Sequence, residues 1–281
     1  MTWDAVRTDN NILLVKTGNL AIRDLICQNT ISDAFSAEQV AAWKGRSIEA
    51  VAACGNKVIC ACLEGVLYIV DGQDVSEVKL SRTDLWPVSG TSIDSHTVLF
   101  VCQRGKFIFV DVDSRGTWVR SLMELGVPRP GRDLSCALPA SEGGVYVFGW
   151  REFILHMDAL GNECTVCHTS RSDISYCSAA YYRDRIWIAA TEGAYSCVVE
   201  FEAGKIVGHK SPIGAEPYYP RMVSYRDSLL FIGSREVYRR DSEKWRKIHE
   251  SRKDTIARVI PWQDRIVVVD NSGVVTECEV R

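Results

Sequence analysis

No apolar run in this sequence approaches the roughly 18 residues that would carry a helix across a bilayer. Neither sign of charge dominates: 33 lysines and arginines stand against 36 aspartates and glutamates, a formal net charge of -3 at pH 7. That balance argues against bulk electrostatic binding to nucleic acid or to an anionic membrane. The opening stretch MTWDAVRTDNNILL has no basic region followed by an apolar core, the mark of a secretory signal. A soluble, cytoplasmic protein is the expectation. Histidine is scarce, and the five (His96, His156, His168, His209 and His249) form no His-x-x-x-His or His-Glu-x-x-His pair. A Gly-x-Ser-x-Gly elbow and a phosphate-binding glycine loop are also missing. No metal and no cofactor are expected.

What is there reads as an ordinary folded chain. Of 281 residues, 46% are hydrophobic and 25% charged, which excludes disordered, collagen-like and coiled-coil classes. At roughly 150 residues per domain the length suggests two domains, but all-β rings exceed that as one unit. The eleven cysteines are odd in number and many alternate with apolar residues, as at Cys60, Cys62, Cys102, Cys136 and Cys197. Reduced thiols acting as small core residues account for them better than a secreted disulfide framework.

One unit recurs along the whole chain: a polar turn, an apolar run, a short turn often holding glycine, and an alternating strand. Examples are GNKVICACLEGVLYIVD from Gly55 and SHTVLFVCQRGKFIFVD from Ser95. The first apolar residue after each turn is Ile12, Val58, Val98, Val145, Ile186, Leu229 and Ile266. These lie 37 to 47 residues apart, within the range of a propeller repeat. Segments such as ISYCSAAYY and TIARVIPW precede the hairpins and suit inner strands; the shorter, more polar TWVRSL and KWRKIH follow them and suit outer edges. Four short strands per unit, with short turns, predict an all-β chain.

The seven copies resemble blades of the β-propeller superfamily, with WD-repeat and Kelch proteins as the nearest patterns. Glu142 to Trp150, EGGVYVFGW, looks like the Kelch double-glycine strand, while the Gly-His and Trp-Asp signatures of WD repeats are absent. The expected architecture is a single β-propeller over residues 1–281, of seven blades with six as the alternative. Residues 36–45 are expected to form a short surface helix between blades. Residues 2–7 resemble outer strands elsewhere and are expected to complete the last blade.

Three local patterns bear on chemistry. Cys164-Thr165-Val166-Cys167-His168 matches the c-type haem attachment motif, but it falls where an edge strand belongs, and residues three apart on a strand point to opposite faces. Cys60 and Cys62 share one strand face and read as packed small residues. Glu64, Glu192 and Asp270 could serve a channel-based hydrolase or lyase with a metal or small molecule, yet each reads more simply as a turn residue.

The linkers between blades hold a denser signal. Arg46, Arg82, Arg132, Arg171, Arg221 and Arg252 recur there, with acids close behind several of them. In a propeller these linkers share one face with the turns between second and third strands, which add Arg104, Arg151 and Arg235. The expected partner-binding set is Arg82, Trp86, Arg104, Arg129, Arg132, Arg151, Arg171, Tyr218, Tyr219, Arg221, Arg235 and Arg252. Arginine and aromatic residues on rigid loops carry interface hot spots. Local Arg–Asp pairs that pin the loops are the competing account. A non-catalytic, monomeric protein-binding module is the expectation, an adaptor or a neutraliser of an enzyme or toxin, recognising another protein with an acidic surface.

Overall fold

The computed structural model describes residues 3–7, 12–16, 22–24, 47–72, 74–127, 133–210, 219–241, 244–252, 254–262, 265–272 and 274–280. Among them the strands form seven antiparallel sheets, five of four strands and two of three. The first sheet contains β1 (Trp3–Arg7), β2 (Ile12–Lys16) and β3 (Ile22–Asp24). The second contains β4 (Ile48–Cys54), β5 (Lys57–Cys62), β6 (Val66–Asp71) and β7 (Asp74–Lys79), and the third β8 (Pro87–Ser92), β9 (Thr97–Cys102), β10 (Lys106–Asp111) and β11 (Thr117–Ser121). The fourth contains β12 (Leu134–Pro139), β13 (Val145–Gly149), β14 (Phe153–Met157) and β15 (Cys164–His168). The fifth follows with β16 (Ile174–Tyr182), β17 (Arg185–Glu192), β18 (Tyr195–Glu202) and β19 (Lys205–Lys210). The sixth contains β20 (Arg221–Tyr225), β21 (Ser228–Ile232), β22 (Glu236–Asp241) and β23 (Lys244–Glu250), and the last β24 (Ile256–Trp262), β25 (Arg265–Asp270) and β26 (Val275–Glu279).

Each of the seven marker residues lies on the second strand of its sheet, from Ile12 on β2 to Ile266 on β25. Those strands are apolar on both faces because they sit between neighbouring sheets. All six residues of β9 are buried, whereas the outer strand β7 alternates between exposed and half-buried. Phe100 and Ile108 of the third sheet pack against Ala52, Ile59 and Leu67 of the second. On the opposite face Phe107 and Phe109 meet Val147 and Leu155 of the fourth. Burying one such phenylalanine stabilises the fold by about 1.5–3 kcal/mol. Gly90 lets the sheets approach this closely, since a Cβ there would meet the Phe100 ring and Ala52.

The inner strands β4, β8, β12, β16, β20 and β24 touch in that order, and β1 lies between β24 and β4. Residues 2–7 are therefore not the outer strand of the last blade. Within that stretch, β1 is the inner strand of the first sheet, paired with β2 from Trp3↔Lys16 to Arg7↔Ile12. The physical reason is local: a short connection from Arg7 to Ile12 favours a hairpin, whose closure entropy is small. The aromatic–charged pattern shared with outer strands did not discriminate. The 36–45 segment lies outside the described residues, as do Arg46, Arg129, Arg132 and Tyr218. No helix among the described residues is long and apolar enough to cross a membrane.

Inner strands expose one edge toward the centre and need other bonds for it. Side chains supply several. Ser92 Oγ donates to the Ala53 carbonyl, Ser224 Oγ to the Tyr181 carbonyl, and Met222 N donates to Ser178 Oγ at 3.2 Å. Five of the inner strands also carry a register slip: at Ile48/Ala50, Pro87/Ser89, Leu134/Cys136, Tyr176/Ser178 and Ile256/Arg258. Each slip re-aims the side chains that follow it.

Candidate functional site

A funnel-shaped cavity of about 620 Å³ opens at the centre of the ring. Inner strands β8, β12, β16, β20 and β24 contribute to its wall, and its mouth is made by Gln103, Asp133, Trp150, Tyr219 and Pro220. Those mouth residues come from linkers between sheets and from turns between second and third strands. The funnel therefore opens on the face where the sequence places the arginines.

Backbone bonds hold that face in shape. Gln103 N donates to the Trp86 carbonyl at 2.9 Å, joining a turn of the third sheet to the linker before it. Arg104 N donates to Asp133 Oδ1 at 2.9 Å, joining the same turn to the linker after it. Ser170 N bonds the Arg151 carbonyl at 3.0 Å, and Ser251 N bonds the Arg235 carbonyl at 2.8 Å. Arg104 and Arg151 sit at positive φ, 60° and 58°, in tight turns that these bonds brace.

The expected residues that are described separate into three groups. Trp86, Arg104, Tyr219 and Arg221 gather at or beside the mouth, where Trp150, which was not among them, joins them. The Arg104 guanidinium lies 5.7 Å from the centre of the Trp86 ring, a cation–π contact. Trp86, Trp150 and Tyr219 are 50%, 38% and 69% exposed. Arg171, Arg235 and Arg252 are exposed on the same face without lining the funnel; Arg252 borders a separate cleft of about 260 Å³ with His249 and Asp270. Arg82 and Arg151 serve the loops themselves. Arg82 Nε reaches Asp84 Oδ1 at 3.1 Å, and Arg151 is half-buried in its turn.

Arg258, Ser178, Cys177 and Thr191 also line the wall, and they lie on strands rather than in the linkers that carry the sequence signal. The available signal was a lone arginine in the apolar inner strand TIARVIPW; the slip at Ile256/Arg258 accompanies its place on the channel side. Burial pushes the Cys177 thiol up to about 11, and Cys136 is raised by burial too, so both keep their protons at neutral pH.

The remaining chemical patterns resolve as packing. Cys164 belongs to the core between the third and fourth sheets and Cys167 to the core between the fourth and fifth. His168 Nε2 lies 3.9 Å from Glu152 Oε2. Cys60 and Cys62 are buried together in one cluster. Glu64 is an exposed turn residue and Glu192 the exposed last residue of β17, while Asp270 Oδ1 accepts bonds from Ser272 N, Ser272 Oγ and Val274 N. None of the three carboxylates lines the funnel. Cys278 Sγ is 3.3 Å from His249 Nδ1, but burial raises the thiol and lowers the imidazole, leaving a neutral pair rather than an activated thiolate. Among the described residues no group of three histidine, cysteine or acidic side chains is placed to hold a metal.

A closed cycle of inner strands around a central funnel makes this chain a β-propeller. The sequence matches no protein-family model and no curated protein. Solved structures with the same fold include a catalytically inactive virginiamycin B lyase from Staphylococcus aureus with quinupristin, at TM-score 0.71 and 12% identity, covering 100% of this chain and 95% of the other. YCF48 bound to D1 peptide aligns at TM-score 0.68 and 11% identity over 100% and 92% of the two chains. BamB from Moraxella catarrhalis aligns at TM-score 0.59 and 12% identity over 99% and 94%. At these identities the likeness is one of fold.

Proposed function

We propose that this propeller is a non-catalytic protein-binding module, an adaptor or a neutraliser of an enzyme, whose recognition face surrounds the funnel mouth. One observation carries the reading: Trp86, Trp150 and Tyr219 stand exposed on the face that holds the arginines, and bonds at Gln103, Arg104 and Trp150 brace the loops of Trp86 and Trp150. Aromatic and arginine side chains gathered on one face are the residue types that carry interface hot spots, and rigid side chains lose little entropy on binding. The arginine content of the face suits an acidic partner surface. YCF48, which shares the fold, has been solved with a peptide bound, so this architecture is compatible with such a role.

The test is affinity purification of the tagged protein from its native cell, beside a Trp86→Ala/Arg104→Glu/Tyr219→Ala variant shown to be folded. A stoichiometric partner held by the wild type and reduced about tenfold or more by the variant is expected. A partner retained equally by both would remove this face from recognition. Absence of any partner would remove the binding role.

A further inference from the structure

An exposed sheet edge is a row of unpaired N–H and C=O groups, and proteins guard such edges with charged side chains, lysine above all. Among the described residues the outer strands of this propeller follow that rule with one exception. Glu77 on β7, Arg120 on β11, Lys205 on β19, Arg246 on β23 and Glu277 on β26 each bring charge to an outer strand, and β3 carries Arg23 and Asp24. β15, Cys-Thr-Val-Cys-His, has no lysine, arginine, aspartate or glutamate, and no described strand lies beyond it in its sheet. Its histidine, His168, lies 3.9 Å from Glu152 in the β13–β14 turn of the same sheet. Thr165 and Val166 are exposed in the middle of the strand, and Leu160 is exposed in the turn that enters it. This edge is on the outer rim, away from the funnel mouth.

The ladder fixes what the edge offers. Asp158 N donates to the Glu163 carbonyl at 3.0 Å, and the register then runs Met157↔Cys164, His156↔Thr165 and Leu155↔Val166. Opposed residues of an antiparallel ladder alternate between bonded and non-bonded pairs. Thr165 therefore uses its backbone groups on His156, while Cys164 and Val166 turn theirs to the free side. A second copy of β15 fits this edge about a two-fold axis at Thr165. Cys164 of each copy then exchanges backbone bonds with Val166 of the other, and the two threonines face each other in a close, non-bonded pair, a combination that stabilises sheets. Glu163 falls opposite Cys167, so no like charges meet. We propose that β15 is a self-association edge, joining two copies of this chain into one continuous sheet where the sequence suggested a monomer. The edge is short, so the dimer is weak and forms with concentration.

The test is equilibrium sedimentation of the whole protein, in reducing buffer to exclude disulfides, from about 1 μM to about 1 mM. The mass is expected to rise from that of one chain to that of two. Thr165→Lys sets lysine against lysine at the axis and is expected to weaken association about fivefold or more. Thr276→Lys, an equally exposed threonine on the outer strand β26, is expected to leave association unchanged. An equimolar mixture of Thr165→Lys and Thr165→Glu is expected to restore the dimer, because opposite charges then face each other. Should the variants fail to fold, the wild type still answers: amide exchange at Cys164 and Val166 slows between dilute and concentrated protein, and exchange at Thr165, already bonded within the sheet, does not. A single-chain mass throughout would leave this edge to solvent or to another partner and overturn the proposal. So would a dimer indifferent to Thr165→Lys, a Lys/Glu mixture no better than Thr165→Lys alone, or exchange at Cys164 and Val166 that ignores concentration.

Discussion

Asp84 shows how a single residue fixes a linker. It accepts from Arg82 Nε at 3.1 Å and from Lys106 Nζ, which reaches across from the third sheet. Hydrogen bonds from Arg82 first and Lys106 second hold its carboxyl well below the usual carboxylate range. A folded-state value lower than the unfolded one contributes stability that is present above the unfolded value and lost as pH falls toward the folded one. Because the carboxylate is exposed, solvent screens the effect. Asp84→Asn is expected to lower the melting temperature at pH 7 by at most a few degrees. The gap should persist down to about pH 5 and narrow below about pH 4, where the carboxyl of the unfolded chain takes up a proton that the folded protein still excludes. Thermal melts across pH check this, and a gap that widened in acid would contradict it. The Arg82–Asp84 spacing was readable in the sequence. Its alliance with Lys106 was not, because the two lie more than twenty positions apart and meet only across sheets.

At the scale of elements, strands were legible in proportion to how simple their surroundings are. From the second sheet onward the second strand is largely buried on both faces, so an apolar run bounded by turns identifies it. Inner strands were recognised as strands, but their register slips break the alternation that would say which side chain faces the channel. Arg258 and Ser178 lie just beyond such slips. The double glycine before β13 is a legible turn with a strict requirement: Gly144 has φ +80°, and a Cβ there would strike the Met157 carbonyl oxygen. Gly144→Ala is expected to cost about 1–3 kcal/mol, measured by chemical denaturation. A neutral result would mean that the β12–β13 turn relaxes freely. The Cys164–His168 motif is instructive in the opposite direction. Its spacing suggests a cofactor, but an extended strand sends its two thiols into different cores.

For the whole molecule, closure of the ring depends on β1. It pairs with β2 and touches both β24 and β4, so it bridges the first and last sheets to their neighbours. Removing residues 1–7 is expected to lower the melting temperature by on the order of 10 °C and to broaden the transition, because the strands it covers become open edges. Calorimetry and gel filtration check both effects, and an unchanged melt would mean that the ring closes without it. Neighbour-to-neighbour packing of this kind makes stability approximately a sum over sheets and their interfaces.

The repeat, the strand content, the propeller class and the face that gathers the linker arginines follow from the sequence alone. Each of these depends on local periodicity and on short connections, which a chain displays along its length. The place of β1 and the cavity that has Arg221 and Arg258 among its lining residues were decided only in three dimensions. They arise where register slips turn side chains inward and where strands far apart in the chain meet around one axis. No local pattern encodes such meetings.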